Sequence, residues 1–230
     1  MKIEQHIKIA VDAIVFGYSD NNLNVLLIKQ KFGALKDQWA LVGGFVKDHE
    51  TLNEAVKREL KEETGVTVNY LEQLYTFGDD INRDPRFRVV SVAYFALVNS
   101  RKLVLTADSD AEDAQWFPIK ELPELAFDHK DIIEKAHLRL KNKLTYQPIG
   151  FDLLQKEFLF SDLENLYCTI LEKEIDRRNF RKKIVSFGII EETGGFSPKK
   201  SGRPAKMFKF NNTKYKRLSK EGFLFEINFA

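Results

Sequence analysis

Apolar residues along the first two thirds of the chain follow two different periods. Segments rich in β-branched and aromatic residues, separated by turn residues, predict strands. The predicted strands cover residues 7–18, 22–31, 39–46, 66–77, 86–98 and 114–119. A period of 3.6 residues predicts helices over residues 51–64, ending at Gly65, and over residues 129–144. Because helices and strands alternate, this part of the chain is predicted to form an α/β or α+β layered domain.

The pattern changes near residue 150, where Pro148 and Gly150 interrupt the helical period. We therefore predict one domain over residues 1–145 and a second over residues 152–230. The charge changes at the same place, although the whole chain has a net charge of only +2. The last 80 residues carry 16 basic and 11 acidic side chains, and the residues before them carry 20 basic and 23 acidic ones. This asymmetry indicates two modules with different partners.

The second domain begins with a predicted amphipathic helix over residues 160–173, capped by Ser161. A basic helix follows within residues 176–190, with Phe180, Ile184 and Phe187 on its inner face. Next come a short segment, a basic loop that contains Gly and Pro, and a strand from residue 207. This order of helix, turn, basic helix and hairpin with a basic tip predicts a winged helix-turn-helix.

Composition excludes several classes of protein. Hydrophobic residues make up 43% and charged residues 30% of the 230 residues, which is a globular balance. The single cysteine, Cys168, cannot form an internal disulfide and fits a reducing compartment. The longest apolar run is about ten residues, too short to cross a bilayer, and the first residues lack the apolar core of a signal peptide. We expect a cytoplasmic protein with no membrane partner.

The candidate chemistry lies on the helix over residues 51–64. Glu59, Glu62 and Glu63 occupy positions i, i+3 and i+4, so they share one helix face. Carboxylates gathered in this way repel one another, and a hard cation such as Mg²⁺ would relieve the repulsion. Arg58 can pair with Glu50 and hold the loop before the helix. The alternative is a solvated charged face without a ligand.

The glutamates belong to a longer pattern. Gly44 is followed after five residues by Glu50, and after seven more by the segment RELKEETGV, which ends at Val66. The pattern resembles a complete Nudix box, with every specified position present. The resemblance implies a Nudix α/β/α sandwich with a mixed sheet, and hydrolysis of a nucleoside diphosphate linked to another group.

The same resemblance assigns roles to individual residues. The catalytic set it implies is Glu50, Arg58, Glu59, Glu62 and Glu63. The set implied to hold Mg²⁺ or Mn²⁺ comprises a backbone carbonyl at Gly43 and the side chains of Glu59, Glu62 and Glu63. The glycine pair would let the backbone turn tightly and bring this carbonyl near the cation. A further acidic ligand is expected among Asp110, Glu112 and Asp113.

Arg83 lies just before the predicted strand over residues 86–98, and Arg86 and Arg88 lie at its start. They could clamp a diphosphate in bidentate fashion, or they could be exposed loop charges. Asp128 precedes the last helix of the first domain, where we interpret it as an N-cap.

The basic residues of the second domain are predicted to contact DNA, with the helix in the major groove and the loop on backbone or minor groove. They are Arg177, Arg178, Arg181, Lys182 and Lys183 on the helix, and Lys199, Lys200 and Arg203 in the loop. A solvated basic face, or contact with RNA or protein, is the alternative.

With a Nudix module followed by a winged helix, FDH at residues 127–129 and RNFRKK at residues 178–183, the whole chain resembles the Nudix-related transcription factors of the NrtR type. The resemblance implies a homodimeric regulator, typically a repressor of NAD metabolism or sugar utilisation genes. Such a regulator would bind an operator in double-stranded DNA and respond to ADP-ribose or a related sugar compound. Because the Nudix box is intact here, a Mg²⁺-dependent hydrolase such as an ADP-ribose pyrophosphatase is the alternative.

Overall fold

The computed structural model describes residues 6–31, 35–102, 111–197 and 204–230. The chain forms two compact units, Met1–Leu138 and Arg139–Ala230, and the division falls inside one helix, His129–Tyr146. The sequence placed the boundary after this helix. None of the helices in the described ranges has both the length and the apolar character needed to span a membrane.

The first unit is built on a seven-stranded mixed sheet. Its strands are β1 (Lys8–Ser19), β2 (Asn22–Gln30), β3 (Trp39–Ala40), β4 (Val42–Phe45), β5 (Tyr70–Phe77), β6 (Val89–Val98) and β7 (Ala111–Pro118). β1 pairs in parallel with β6 and antiparallel with β2 and β4. β3 and β7 pair antiparallel with β2, and β5 pairs antiparallel with β6. The predicted mixed sheet is confirmed.

Two helices, α1 (Leu52–Thr64) and α2 (His129–Tyr146), accompany the sheet. Val11 and Val15 of β1 pack in one core with Ala55 and Leu60 of α1. Because side chains alternate along a strand, Asp12, the residue after Val11, projects from the opposite face of the sheet. β1 is buried on both faces from residue 10 to residue 18, so Asp12 is a charge held inside an apolar strand.

The prediction of one strand over residues 39–46 is wrong. β3 and β4 are separate and pair with different neighbours, β2 and β1. Leu41 lies between them, and its backbone N–H donates to Nδ1 of His129 at 2.9 Å instead of joining a strand ladder. A contact over 88 residues of sequence therefore interrupts a segment whose local composition favours a continuous strand.

The second unit has the predicted winged helix-turn-helix order, with two elements more. Its helices are α3 (Phe160–Leu171), α4 (Arg177–Phe187) and α5 (Asn212–Glu221), and its strands are β8 (Glu157–Leu159), β9 (Ile190–Phe196) and β10 (Lys206–Phe210). The antiparallel sheet has the order β8–β10–β9. β8 and α5 were not predicted.

The start of α3 also differs from the prediction. Leu159 occupies the N-cap position, so Ser161 lies inside the first turn and cannot cap the helix. Instead the carboxylate of Asp162 accepts a hydrogen bond from the backbone N–H of Leu159 at 2.9 Å. An acidic residue in the first turn satisfies one free N–H and is also favoured by the helix dipole.

Candidate functional site

The acidic helix α1 is fixed at both ends by its own sequence. Thr51 and Glu54 form a reciprocal capping box, in which each side chain accepts a hydrogen bond from the backbone N–H of the other. At the other end Gly65 adopts a left-handed φ of 70° and donates to the carbonyl of Lys61 at 3.0 Å. These caps set the length of the helix and so the position of its glutamates.

Arg58 links this helix to the loop before it. Its Nε and Nη2 atoms donate to Glu50 at 2.9 Å and 2.6 Å, which confirms the predicted pair. Nη1 also donates to Glu59 at 2.7 Å and to Glu62 at 3.1 Å. A single guanidinium thus partly neutralises three carboxylates, which is how their charges are tolerated close together.

These contacts shift the protonation of the acidic residues in opposite directions. The hydrogen bond from Arg58 lowers the pKa of Glu50 to about 2. Burial raises the pKa of Glu59 above its usual value, although Arg58 acts in the other direction. Burial therefore disfavours the ionised form of Glu59, and a nearby cation would stabilise that form.

Gly43 and Gly44 lie in the extended strand β4 and not in the predicted tight turn. A Cβ atom on Gly43 would come within 2.2 Å of the Val11 carbonyl oxygen. A Cβ atom on Gly44 would come within 2.3 Å of Oε1 of Glu59. Gly43 is thus needed where β4 lies against β1, and Gly44 where β4 lies against α1. The backbone N–H of Gly43 also donates to Glu63 of α1 at 3.0 Å.

A cavity of about 240 Å³ opens beside this helix. It combines carboxylates, guanidinium groups and aromatic rings. The charged and aromatic side chains in its lining are Asp12, Phe45, Glu59, Glu63, Arg83, Asp84, Arg86, Phe127 and His129. This mixture of cationic, anionic and aromatic groups suits a polar ligand with ring and phosphate portions.

Arg83 anchors a buried polar network at this cavity. Its guanidinium donates twice to Asp128, at 2.9 Å and 2.6 Å, and lies 3.5 Å from Asp12. Asp12 also accepts from the hydroxyl of Ser91. Burial acts to lower the pKa of Arg83, but the hydrogen bond to Asp128 and the charge of Asp12 outweigh it, and the pKa is raised. Arg83 is therefore a charged structural member of the cavity wall.

Asp128 directly precedes α2, as predicted for an N-cap, yet its carboxylate is engaged by Arg83. The next residue, His129, is buried, and burial lowers its pKa despite the nearby charge of Asp12. Because a backbone N–H can only donate, the bond from Leu41 makes Nδ1 the acceptor and places the proton of neutral His129 on Nε2. Nε2 faces the Asp12 carboxylate at 3.6 Å.

Arg86 is the more accessible arginine of the cavity. It is held by Asp84, to which its Nε and Nη2 atoms donate at 3.0 Å and 2.9 Å. Its guanidinium lies 5.2 Å from the ring centre of Phe127 and 6.0 Å from that of Phe45. Arg88 instead donates to the carbonyl of Gly78 at 2.8 Å and is not part of the cavity lining within the described residues.

The three glutamates predicted to bind metal are not equivalent. Glu59 and Glu63 line the cavity, whereas the Glu62 side chain is 48% exposed and bound by Arg58. In the described part of the chain, no group of three His, Cys, Asp or Glu side chains is placed to hold a metal ion. The donor chemistry nevertheless fits a hard cation. The metal and catalytic assignments of these residues stay predictions.

The three candidates for a further acidic ligand have different outcomes. Asp110 lies outside the described residues. Glu112 and Asp113 belong to β7. The Asp113 carboxylate accepts from the backbone N–H of Ala114 at 2.8 Å and is not among the described residues that line the cavity.

In the second unit the basic helix α4 begins at an N-cap, Asp176, that was not predicted. The Asp176 carboxylate accepts from the backbone N–H groups of Arg178 and Asn179, both at 3.1 Å. The helix ends at Gly188 in a left-handed conformation with φ of 63°. Phe180 and Ile184 are buried as predicted, and Phe187 is half-buried.

The basic residues of α4 differ in the groups that their side chains contact. Arg177 lies 3.9 Å from Glu174, and Nζ of Lys183 donates to the Glu226 carbonyl at 2.8 Å. The Arg181 guanidinium lies over the ring of Phe160, 4.6 Å from its centre. Among the residues described here, Arg178 and Lys182 have side chains without a hydrogen bond or ion pair. The predicted loop contacts Lys199, Lys200 and Arg203 lie outside the described residues.

Sequence reasoning missed two features that bear on these sites. Asp12 was overlooked, although a lone charge inside the apolar run IAVDAIVF is a recognisable sign of a buried polar network. The C-terminal segment was also overlooked. It buries Phe225 to 1% exposure, and the ring of Phe225 lies 6.1 Å from that of Phe187 on the basic helix.

Comparison with known proteins identifies both units. Residues 6–136 match the family model of the NUDIX domain. Residues 150–210 match the model described as the NrtR DNA-binding winged helix domain. Both matches agree with the fold observed.

Three known proteins resemble the chain over long segments. An ADPR responsive transcriptional repressor, NtrR, of Acinetobacter baylyi is 35% identical over 205 residues, which cover 87% of this chain and 80% of the relative. The crystal structure of Shewanella oneidensis NrtR complexed with a 27mer DNA has a TM-score of 0.79 at 32% identity, covering 90% of this chain and 95% of that one. An ADP-ribose pyrophosphatase of Methanocaldococcus jannaschii is 42% identical over 139 residues, covering 60% of this chain and 76% of the relative. With its Nudix unit and its winged helix both matched, the chain belongs to the NrtR-type family of Nudix-related transcriptional regulators.

Proposed function

We propose that this protein is a transcriptional repressor that binds operator DNA through its winged helix and responds to ADP-ribose through its Nudix cavity. The observation that carries the proposal is the pairing, in one chain, of a cavity with cationic and aromatic walls and a helix with free basic side chains. The similarity to an ADPR responsive repressor over 87% of the chain supports this combination.

The cavity offers complementary groups for the parts of ADP-ribose. Arg86 can pair with the diphosphate in bidentate fashion, and the rings of Phe45 and Phe127 beside it offer faces on which adenine can stack. Both arginines are engaged by an aspartate, but the Arg86 side chain is 43% exposed and that of Arg83 only 4%, so Arg86 is the better phosphate contact of the two. Arg88 would contribute only if its bond to the Gly78 carbonyl were exchanged.

A divalent cation, Mg²⁺ or Mn²⁺, is part of the proposal. Glu59 and Glu63 would hold it from the cavity wall, with the Gly43 carbonyl and Glu62 completing the protein ligands. When bound, the cation would neutralise and polarise the diphosphate. Arg58 keeps Glu59 and Glu62 in place from the outer side of the helix, and Glu50 in turn orients Arg58.

We also propose that the protein acts in the cytoplasm as a homodimer on a pseudo-palindromic operator. A two-fold dimer should prefer half-sites separated by roughly 10 or 20 base pairs, one or two turns of the duplex. The family to which the chain belongs favours genes of NAD metabolism or sugar utilisation as targets. Chromatin immunoprecipitation followed by sequencing would identify the genes that the protein binds. Enrichment only at genes outside NAD metabolism and sugar utilisation would reject these targets.

The repressor proposal has a direct test. The purified full-length protein is used to enrich duplexes from a random pool, and the affinity for the enriched duplex is measured by fluorescence anisotropy with and without ADP-ribose. We expect ADP-ribose to weaken binding roughly tenfold, within the usual range of allosteric coupling. Failure to enrich any sequence would reject DNA recognition, and an affinity unchanged by saturating ADP-ribose would reject this effector.

A second candidate function is hydrolysis of ADP-ribose. The complete Nudix box and the 42% identity to an ADP-ribose pyrophosphatase favour it. Release of AMP from ADP-ribose in the presence of Mg²⁺ or Mn²⁺ would establish the activity. No AMP with either metal, under conditions where ADP-ribose is shown to bind, would leave sensing as the role of the cavity.

A further inference from the structure

The basic helix α4 turns one face toward the core and the opposite face toward solvent. Phe180 and Ile184 are buried on the inner face. Arg178, Lys182 and Val185 are exposed, and at 100° per residue they cluster on the side opposite to the buried pair. Their spacing of i, i+4 and i+7 forms a single stripe along the helix.

Val185 is unusual in this stripe because it is apolar and 50% exposed. It is the only large apolar residue of α4 that is exposed to this degree. A single exposed valine at the end of a stripe of free cations is poorly suited to docking another protein, which would need a wider apolar patch. The surrounding positive charge is instead complementary to a nucleic acid.

The neighbouring basic residues do not compete for this position. Arg181 lies over the Phe160 ring, and Lys183 is bound to the Glu226 carbonyl. Arg178 and Lys182 have no partners within the described residues, so they can reach toward a ligand without breaking an internal contact. The stripe is therefore the part of the helix that is available for direct contact with DNA bases and phosphates.

Resting on the proposed function, we infer that Val185 is a specificity-determining residue that reads the C5-methyl group of a thymine in the major groove. Apolar contact with this methyl group is one of the direct means of distinguishing thymine from other bases. Arg178 lies seven residues earlier, about 10 Å along the helix. If the helix follows the groove, Arg178 meets a base roughly three steps of ~3.4 Å from that thymine.

The test uses the full-length protein and the duplex that it enriches from a random pool. Each thymine of a half-site is replaced in turn by uracil, which removes only the methyl group and keeps base pairing. We expect one uracil position per half-site to weaken binding by the wild-type chain about fourfold, the cost of one methyl-sized apolar contact. The Val185→Ser variant, which presents a polar hydroxyl in place of the methyl groups, should bind the thymine and uracil duplexes equally well.

Leu224→Ala is the matched control, because Leu224 is also exposed, at 79%, and lies in the same unit but outside α4. This variant should keep the full preference for thymine. The inference is overturned if uracil has no effect at any position, or if Val185→Ser retains the preference. Either result leaves selective DNA binding intact, whereas failure to enrich any duplex removes the proposed function together with the inference.

Discussion

The carboxylate of Asp128 accepts two hydrogen bonds from the guanidinium of Arg83, at 2.9 Å and 2.6 Å, across 45 residues of sequence. The pair joins the loop after β5 to the residue that precedes α2. The Arg83 side chain is 4% exposed, so its charge has little access to water if its partner is lost.

We therefore expect Asp128→Ala to lower the free energy of unfolding by roughly 3 kcal/mol, as for a buried charge left without its partner. Both tryptophans, Trp39 and Trp116, belong to the first unit, so urea unfolding followed by tryptophan fluorescence reports on it. Asp131→Ala, an exposed change in the first turn of α2, is the control and should stay within about 0.5 kcal/mol of wild type. Equal stability of both variants would contradict the role given to Asp128.

Because His129 is buried, we expect the folded protein to lose stability in mild acid. Burial holds its pKa in the folded chain below the unfolded value of 6.5. Below pH 6.5 the unfolded chain therefore binds more protons than the folded chain, and stability falls until the pH reaches the folded pKa. In His129→Asn this dependence should be missing, so the stability difference between wild type and variant should shrink as the pH is lowered from 7 to 5.5. A constant difference would show that His129 does not titrate in this way.

Glu63→Gln should separate turnover from binding if the cavity hydrolyses ADP-ribose. The amide oxygen can still accept from the Gly43 N–H, so the local shape is kept. It is a much poorer ligand for a hard cation, and we expect AMP release to fall by roughly 100-fold or more. Calorimetry without metal should show ADP-ribose affinity close to wild type. Glu134→Gln, an exposed change on α2, is the control, and similar turnover in the two variants would exclude a catalytic role for Glu63.

Two adjacent lysines on α4 should differ in their effect on DNA binding. Lys182 is free within the described residues, so Lys182→Ala should weaken binding and reduce the slope of log affinity against log salt by about 0.9. Lys183 is engaged with the Glu226 carbonyl, so Lys183→Ala should change this slope less. Gel-shift titrations at several salt concentrations measure both slopes. The reverse order would mean that the helix presents a different face to DNA.

The C-terminal segment offers a matched pair of neighbouring residues. Phe225 is 1% exposed and Leu224 is 79% exposed. Phe225→Ala should destabilise the second unit by roughly 3–4 kcal/mol, as expected when a large buried ring is removed, whereas Leu224→Ala should have almost no effect. Thermal unfolding followed by far-UV circular dichroism distinguishes the two. Equal melting temperatures would show that the segment does not belong to the core of that unit.

Features that depend on neighbouring residues could be predicted from the sequence. The bounds of α1 follow from Thr51, Glu54 and Gly65, and the Arg58–Glu50 pair spans only eight residues. The order of elements in the winged helix was recognisable for the same reason, because each helix and hairpin carries its own period.

Features that depend on distant residues could not be predicted. The carboxylate of Asp12 meets Arg83 from 71 residues away, and the N–H of Leu41 meets His129 from 88 residues away. Neither contact leaves a periodic trace in the sequence. The basic helix shows the same limit, since composition alone could not distinguish Lys182 from Lys183.

The parallel pairing of β1 with β6 has a consequence for the newly made chain. β1 begins at Lys8 and its parallel partner at Val89, so roughly 80 residues must follow before this ladder can form. At ~5–20 residues per second, the ribosome needs on the order of 10 s to deliver them. Throughout that interval β1, which is buried on both faces in the folded unit, lacks the neighbour that will bury one of its edges. Synthesis speed, and the chaperones that meet the nascent chain, therefore bear on how much of this regulator reaches its folded state.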